Sequence, residues 1–220
     1  GMSEWSWTDA TVREALALSG GGPERVFVGG STDTRTIAPG ALYVALKGER
    51  FDGHEFLAAA ARAGATGAVV RAGTPPAGGL LLYQVADTLR ALGDLGRARR
   101  RAVPGPVVAI TGSNGKTSTR EMVAAVLRTA YRTHATRGND NNLVGIPLSL
   151  LATPAGTEAL VIEAGANALG EIPRARELIE PTTAIVTNVS PSHLEGFGSM
   201  EGILREKLAL LDQVPLAIVG

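Results

Sequence analysis

The sequence contains no cysteine, which excludes disulfides and thiolate metal sites from the outset. It has no surplus of either charge: 21 Lys and Arg face 21 Asp and Glu, so the formal net charge is zero. That balance argues against a general binder of nucleic acid or of anionic membranes. No apolar run reaches the roughly 20 residues of a membrane helix, so no membrane insertion is expected. The start, Gly1-Met2-Ser3-Glu4, lacks the basic-then-apolar pattern of a signal peptide. Gly1 before Met2 reads as a tag remnant, and a cytoplasmic chain is expected. Aromatics make up only 4%. Gly and Ala are abundant instead, which suits an α/β protein with close helix–sheet packing. There is no internal repeat and no low-complexity tract. The 220 residues suffice for one large or two small domains.

What the chain does have is Val107-Val108-Ala109-Ile110-Thr111-Gly112-Ser113-Asn114-Gly115-Lys116-Thr117-Ser118. An apolar β-branched run enters a glycine-punctuated loop, and the loop enters a helix. Met122, Val123, Val126, Leu127 and Ala130 are expected on that helix's apolar face. Glycines let backbone N–H groups approach phosphate oxygens, and the helix N-terminus adds partial positive charge. Lys116 would reach the terminal phosphates of a nucleotide, and the Thr117 hydroxyl would sit on Mg²⁺. The strict Walker A spacing is missed by one position: Ile110 stands where the first glycine belongs, and the glycine comes at Gly112.

Residues 1–103 alternate short strands and helices. A helix is predicted near 8–18 with Thr8 as N-cap, and strands at 26–28, 41–46, 68–70 and 80–85. A small-residue helix is predicted from His54 to Ala63, closed by Gly64. Asp87 should cap a helix carrying Leu89, Leu92 and Leu95 and ending in Arg97, Arg99, Arg100 and Arg101, read as a solvated cationic end. Pro104-Gly105-Pro106 marks the domain boundary. Beyond it the strands 107–111, 159–163, 184–189 and 216–219 are continuous and apolar, as in a parallel sheet covered on both faces. The chain stops at Gly220 directly after a strand, so residues 104–220 are expected to form an incomplete domain.

Ligands of open parallel sheets sit beyond the strand C-termini. That draws attention to Glu163, an acid at a strand end and a candidate Mg²⁺ ligand, and to Asn188 onward as far as His193. Gly138-Asn139-Asp140-Asn141-Asn142 is first of all a turn. Its Asn141 and Asn142 also offer amide donors to a polar substrate.

Together these stretches resemble the ATP-dependent Mur ligases of peptidoglycan synthesis. The 111–117 loop, the 138–142 turn and the 188–198 stretch carry the family likeness. Glu163-Ala164-Gly165-Ala166-Asn167, Gly170-Glu171-Ile172 and His193-Leu194-Glu195-Gly196-Phe197-Gly198-Ser199 resemble its D-alanyl-D-alanine-adding branch. That branch usually reads Asn-His-Pro-Gly-Glu-Ile where this chain has Asn167-Ala168-Leu169-Gly170-Glu171-Ile172. Ser31–Arg35, Pro39-Gly40 and Lys47–His54 resemble the domain that holds the UDP end of the substrate.

The resemblance implies a small N-terminal α/β domain, residues 1–103, binding UDP-N-acetylmuramoyl-tripeptide. Ser31, Thr32, Arg35, Lys47 and His54 would contact it, Arg and Lys being suited to a diphosphate. Residues 104–220 would be the first part of a parallel-sheet ATPase domain, in a monomer. The implied reaction joins D-Ala-D-Ala to the tripeptide through an acyl phosphate, with ATP and Mg²⁺. Thr117 and Glu163 would hold one Mg²⁺, and His193 and a carbamylated Lys207 a second. Ser199 is expected to cap a helix to about Asp212. Its apolar arc reads Met200, Ile203, Leu204, Leu208 and Leu211, with Lys207 near the centre and Arg205, Glu206 and Asp212 outside. A diaminopimelate- or lysine-adding branch, or a non-catalytic UDP-sugar or nucleotide module, are the alternatives. Without the remaining domains the chain is expected not to ligate by itself.

Overall fold

The computed structural model describes residues 5–138, 140–165, 170–191 and 198–220. The chain divides into two compact units, Gly1–Leu95 and Gly96–Gly220.

In the first unit, β1 (Ser6–Thr8) and β2 (Val26–Val28) pair antiparallel. Thr8 ends β1 and caps α1 (Asp9–Ala15), sharing a reciprocal capping box with Thr11. A second sheet is wholly parallel, in the order β3 (Gly30–Ser31), β4 (Leu42–Val44), β5 (Gly67–Arg71), β6 (Leu81–Val85). The segment expected as one helix from His54 is a 3₁₀ turn, Gly53–Phe56, followed by α2 (Leu57–Ala63). Asp52 starts the turn by accepting from the His54 amide. Tyr43, Ala68 and Val70 of the sheet pack against Leu57 and Ala60 of α2. The Tyr43 hydroxyl donates to the Gly53 carbonyl and pins the 47–54 loop to β4.

Asp87 accepts from the amides of Leu89 and Arg90 at the start of α3 (Thr88–Arg101). Only part of the arginine end of that helix is solvated as expected: Arg101 is exposed, whereas Arg99 and Arg100 turn inward. Arg99 is 3% exposed and donates to the carbonyls of Thr153 and Pro154. Arg100 donates to those of Ile179 and Glu180. Carbonyls left over at or just past the C-terminal ends of two helices need donors, and a guanidinium fork reaches several at once.

The second unit holds one parallel sheet in the order β11 (Leu216–Val219), β10 (Thr183–Val186), β7 (Val107–Thr111), β9 (Ala159–Glu163), β8 (Thr133–Ala135). Side chains alternate across it. Val107, Ala109, Leu160, Ile162 and Ala184 pack with α5 (Gly145–Leu151), α6 (Glu171–Ile179) and α7 (Met200–Leu208). Val108, Ile110 and Val161 pack with α4 (Lys116–Leu127) on the other face.

Two helices bury faces that overlap the expected ones only in part, keeping Val123 and Leu127 on α4 and Ile203 and Lys207 on α7. On α4 the sheet contact is Ala124 with Val123 and Leu127, while Met122 and Val126 are 63% and 69% exposed. The helix after Ser199 ends at Leu208 and passes into a 3₁₀ turn, Ala209–Leu211. Its buried stripe is Ile203, Glu206, Lys207 and Leu210, whereas Met200 and Leu204 are exposed. Glu206, expected outside the arc, is buried because its Oε1 accepts from the Ile172 amide at the start of α6. That bond answers one of the orphan N–H groups of the α6 terminus.

Candidate active site

Parallel register places the ends of β10, β7 and β9 side by side: Val186 pairs with Thr111, and Ile110 with Glu163. The loop Gly112–Gly115 leaves β7 at this edge, and α4 begins at Lys116. Segment 187–190 braces it. Ser113 N–H donates to the Asn188 carbonyl at 3.0 Å, and Ser190 N–H to Ser113 Oγ at 2.8 Å. Asn188 holds the Asn114 peptide by both its polar groups, and the Thr187 hydroxyl donates to the Asn114 carbonyl at 2.6 Å. Gly112 has φ +148°, and a Cβ there would collide with Thr187 Oγ1. The glycine expected two residues earlier is thus needed here, where Thr187 crosses the loop.

Lys116 Nζ donates to the Gly112 carbonyl at 2.8 Å, folded over the loop. Thr117, in the first turn of α4, turns Oγ1 to Glu163 Oε1 at 3.3 Å. Glu163 is 1% exposed and pairs with Arg120 through its other oxygen. Its amide donates to the Thr136 hydroxyl, which anchors the strand end. Mg²⁺ binds through one or two carboxylates with phosphate oxygens and water completing its shell. A hydroxyl and a carboxylate oxygen converging at a phosphate-type loop fit that ion. Among the described residues no group of three or more His, Asp or Glu gathers as a ready-made metal cage.

Lys207 is 3% exposed. Burial first, and then the nearby Lys116 ammonium, push its pKa below the usual lysine range, with Glu206 opposing. His193 lies outside the described residues. Ser118 follows Thr117 in the first turn of α4 and is exposed. The Asn141 carbonyl accepts from Gly165 N–H, and its side chain lies beside Gly165, just past the end of β9. Asn142 Oδ1 accepts from the amides of Val144 and Gly145 and so caps α5.

The remaining predicted residues belong to the first unit. Ser31 Oγ closes a turn onto Asp33, and Thr32 sits half-buried in that turn. Arg35 grips Asp33 with Nε–Oδ1 at 3.0 Å and Nη2–Oδ2 at 2.8 Å. Hydrogen bonds from Arg35 hold the Asp33 carboxyl down at about 2. The backbones of Lys47 and Asp52 pair as an isolated antiparallel β-bridge. His54 Nε2 accepts from Arg71 N–H at 2.9 Å, which places the imidazole proton on Nδ1, donated to Asp52 at 2.6 Å. Both loops leave the C-terminal ends of parallel strands, the position expected for a ligand.

Arg120, Thr136, Thr187 and Asn188 were not picked out individually as site residues. Only Asn188 carried a signal, its place after a strand end.

The class this arrangement defines is the α/β proteins with a glycine-rich loop joining a central parallel strand to a helix. The chain belongs to the Mur ligase family: the Mur ligase middle domain matches residues 110–219, and the Mur ligase family catalytic domain matches residues 27–100. It is 43% identical over 190 residues to the UDP-N-acetylmuramoyl-tripeptide–D-alanyl-D-alanine ligase of Bacillus subtilis, covering 86% of this chain and 42% of that protein. With the Escherichia coli protein of the same name it shares 45% over 185 residues, or 84% of this chain and 40% of that one. The chain therefore spans well under half the length of these relatives. A crystal structure of MurF from Acinetobacter baumannii matches with TM-score 0.89 and 36% identity over 98% of this chain and 49% of that one. MurF of Thermotoga maritima in complex with ADP matches with TM-score 0.79 and 32% identity, over 86% and 45% of the two chains.

Proposed function

We propose that these residues serve an ATP-dependent ligase of peptidoglycan precursor synthesis, which joins D-Ala-D-Ala to UDP-N-acetylmuramoyl-tripeptide. The observation that carries this reading is the braced Gly112–Thr117 loop with Glu163 converging on Thr117. The substrate range follows the names of the relatives. Residues 1–103 hold the UDP end, with Ser31, Thr32, Arg35, Lys47 and His54 lining the two loops. Residues 104–220 hold the ATP phosphates.

A substrate carboxylate attacking a polyphosphate meets strong charge repulsion. Loop amides from Gly112 to Thr117 and the Lys116 ammonium neutralise the phosphate oxygens while a carboxylate oxygen bonds to the γ-phosphorus and the bond to the β,γ-bridging oxygen breaks, giving an acyl phosphate and ADP. The dipeptide amine then displaces phosphate through a tetrahedral intermediate. Thr117 and Glu163 would hold Mg²⁺, which when bound would add charge neutralisation at the phosphates. Lys116 must leave the Gly112 carbonyl to engage them. Lys207, its neutral form favoured by burial, adds CO₂ to give a carbamate and release a proton. That anion, with His193, would hold a second Mg²⁺.

Lys116→Ala tests the reading. ATP affinity of the 220-residue chain should fall by at least about tenfold, a charge-assisted contact being lost, with the circular dichroism spectrum unchanged. Phosphate release with the UDP-tripeptide, ATP and each candidate amine, in a full-length protein carrying this segment, separates the branches. D-Ala-D-Ala should be the amine that stimulates it. The 220-residue chain alone should form no product.

A further inference from the structure

Thr117 and Glu163 have a third neighbour. Arg120, one turn further along α4, donates from Nη1 to Glu163 Oε2 at 2.7 Å. Its Nη2 and Nε hold Glu121 Oε1 at 2.8 and 3.2 Å. The guanidinium is thus anchored on both sides, and its pair with Glu163 is nearly out of water. The same carboxylate oxygen is closed off by backbone. A Cβ on Gly138 would lie 2.9 Å from Glu163 Oε2, 3.3 Å from Thr117 Oγ1 and 3.4 Å from Arg120 Nη1. The two oxygens of Glu163 are therefore not equivalent. Oε1 faces the Thr117 hydroxyl, and Oε2 is taken by Arg120 and walled by Gly138.

We propose that Arg120 is a positioning residue that makes Glu163 a one-oxygen ligand and so selects Mg²⁺ over Ca²⁺ at the phosphate loop. The proposal rests on the reading of Thr117 and Glu163 as a nucleotide-linked Mg²⁺ site. Mg²⁺ is small, takes six ligands and accepts single carboxylate oxygens. Ca²⁺ takes up to eight and often uses both oxygens of one carboxylate. For Glu163 to offer both, Oε2 must leave a buried, charge-assisted hydrogen bond and strand the guanidinium. Only the larger ion gains from that rearrangement, so only the larger ion bears its cost.

The test uses the 220-residue protein with a non-hydrolysable ATP analogue and Mn²⁺, whose electron paramagnetic resonance signal reports occupancy. Mg²⁺ and Ca²⁺ are titrated as competitors. Wild type should release Mn²⁺ to Mg²⁺ well before Ca²⁺. Arg120→Gln should raise the Ca²⁺-to-Mg²⁺ affinity ratio on the order of tenfold. Arg120→Lys, which keeps a charge on Oε2, should keep most of the wild-type ratio. Glu121→Gln loosens the guanidinium from its exposed side, where folding is not at stake, and should move the ratio the same way by less. A ratio unmoved in Glu121→Gln and in folded Arg120→Gln, with Mn²⁺ still bound, overturns the proposal alone. Folded wild type that binds no Mn²⁺ with the analogue overturns the nucleotide reading and this proposal with it.

Discussion

Asn188 holds the peptide of Asn114 from both sides, its Oδ1 accepting from Asn114 N–H at 3.0 Å and its Nδ2 donating to Asn114 O at 3.1 Å. A residue 74 positions further along the chain thus fixes the middle of the Gly112–Gly115 loop. Asn188→Ala removes two partly exposed hydrogen bonds, each worth roughly 0.5–1.5 kcal/mol. ATP affinity should fall about threefold to tenfold while the melting temperature changes little. Calorimetric titration beside a thermal melt reads both, and an unaltered affinity would show that the brace does not matter for binding.

Gly112→Ala should be the most damaging single-methyl change in the loop. It sets a Cβ at φ +148° against the Thr187 hydroxyl, and strain of this kind costs ~1–3 kcal/mol. Adding Thr187→Ala removes the collision but leaves the backbone strain. The double variant should recover part of the stability, giving a non-additive cycle in urea unfolding.

Arg99→Ala should destabilise the second unit by about 2–4 kcal/mol, because buried carbonyls lose their donor and a cavity remains. The carbonyls at risk are those of Thr153 and Pro154, reached at 3.0 and 2.7 Å. Arg101→Ala, whose partner Glu180 is half exposed, should cost under about 1 kcal/mol. Equal losses for the two would contradict the difference in burial.

Lys207 should gain the mass of one CO₂ in a full-length protein carrying this segment, with bicarbonate and Mg²⁺ present. Burial favours its neutral amine, the form that reacts with CO₂. Lys207→Ala should be inactive and partly rescued by a short carboxylate. A bare ammonium in the active enzyme would defeat the assignment.

His134 gives the second unit a pH dependence of known sign. Burial, and then the charges of Arg99 and Arg128, lower its pKa below 6.5. The unfolded chain binds the proton more readily, so stability is fully present above pH 6.5 and is lost as pH falls through the lowered folded value. Urea midpoints at successive pH values should show a smaller acid loss in His134→Gln than in wild type. An identical slope would remove His134 as a source.

The amino-acid order by itself determined what rests on neighbours in the chain. The β-branched run before Gly112, the Thr8 and Asp87 caps and the Ser199 start of α7 were legible because strand, cap and turn preferences act within a few residues. The glycine-rich loop between β7 and α4 was legible for the same reason, since strand end, loop and helix start are contiguous. Tertiary structure alone decided the rest. Which side of α4 and α7 turns inward depends on the sheet each meets, so Met122 and Leu204 face water while Glu206 is buried at the start of α6. Arg99 looked like a solvated charge until distant carbonyls supplied its partners. Arg120 meets Glu163 across 43 residues of sequence. No local pattern encodes such a meeting, because it is set by parallel register, which carries Glu163 to the edge where α4 begins.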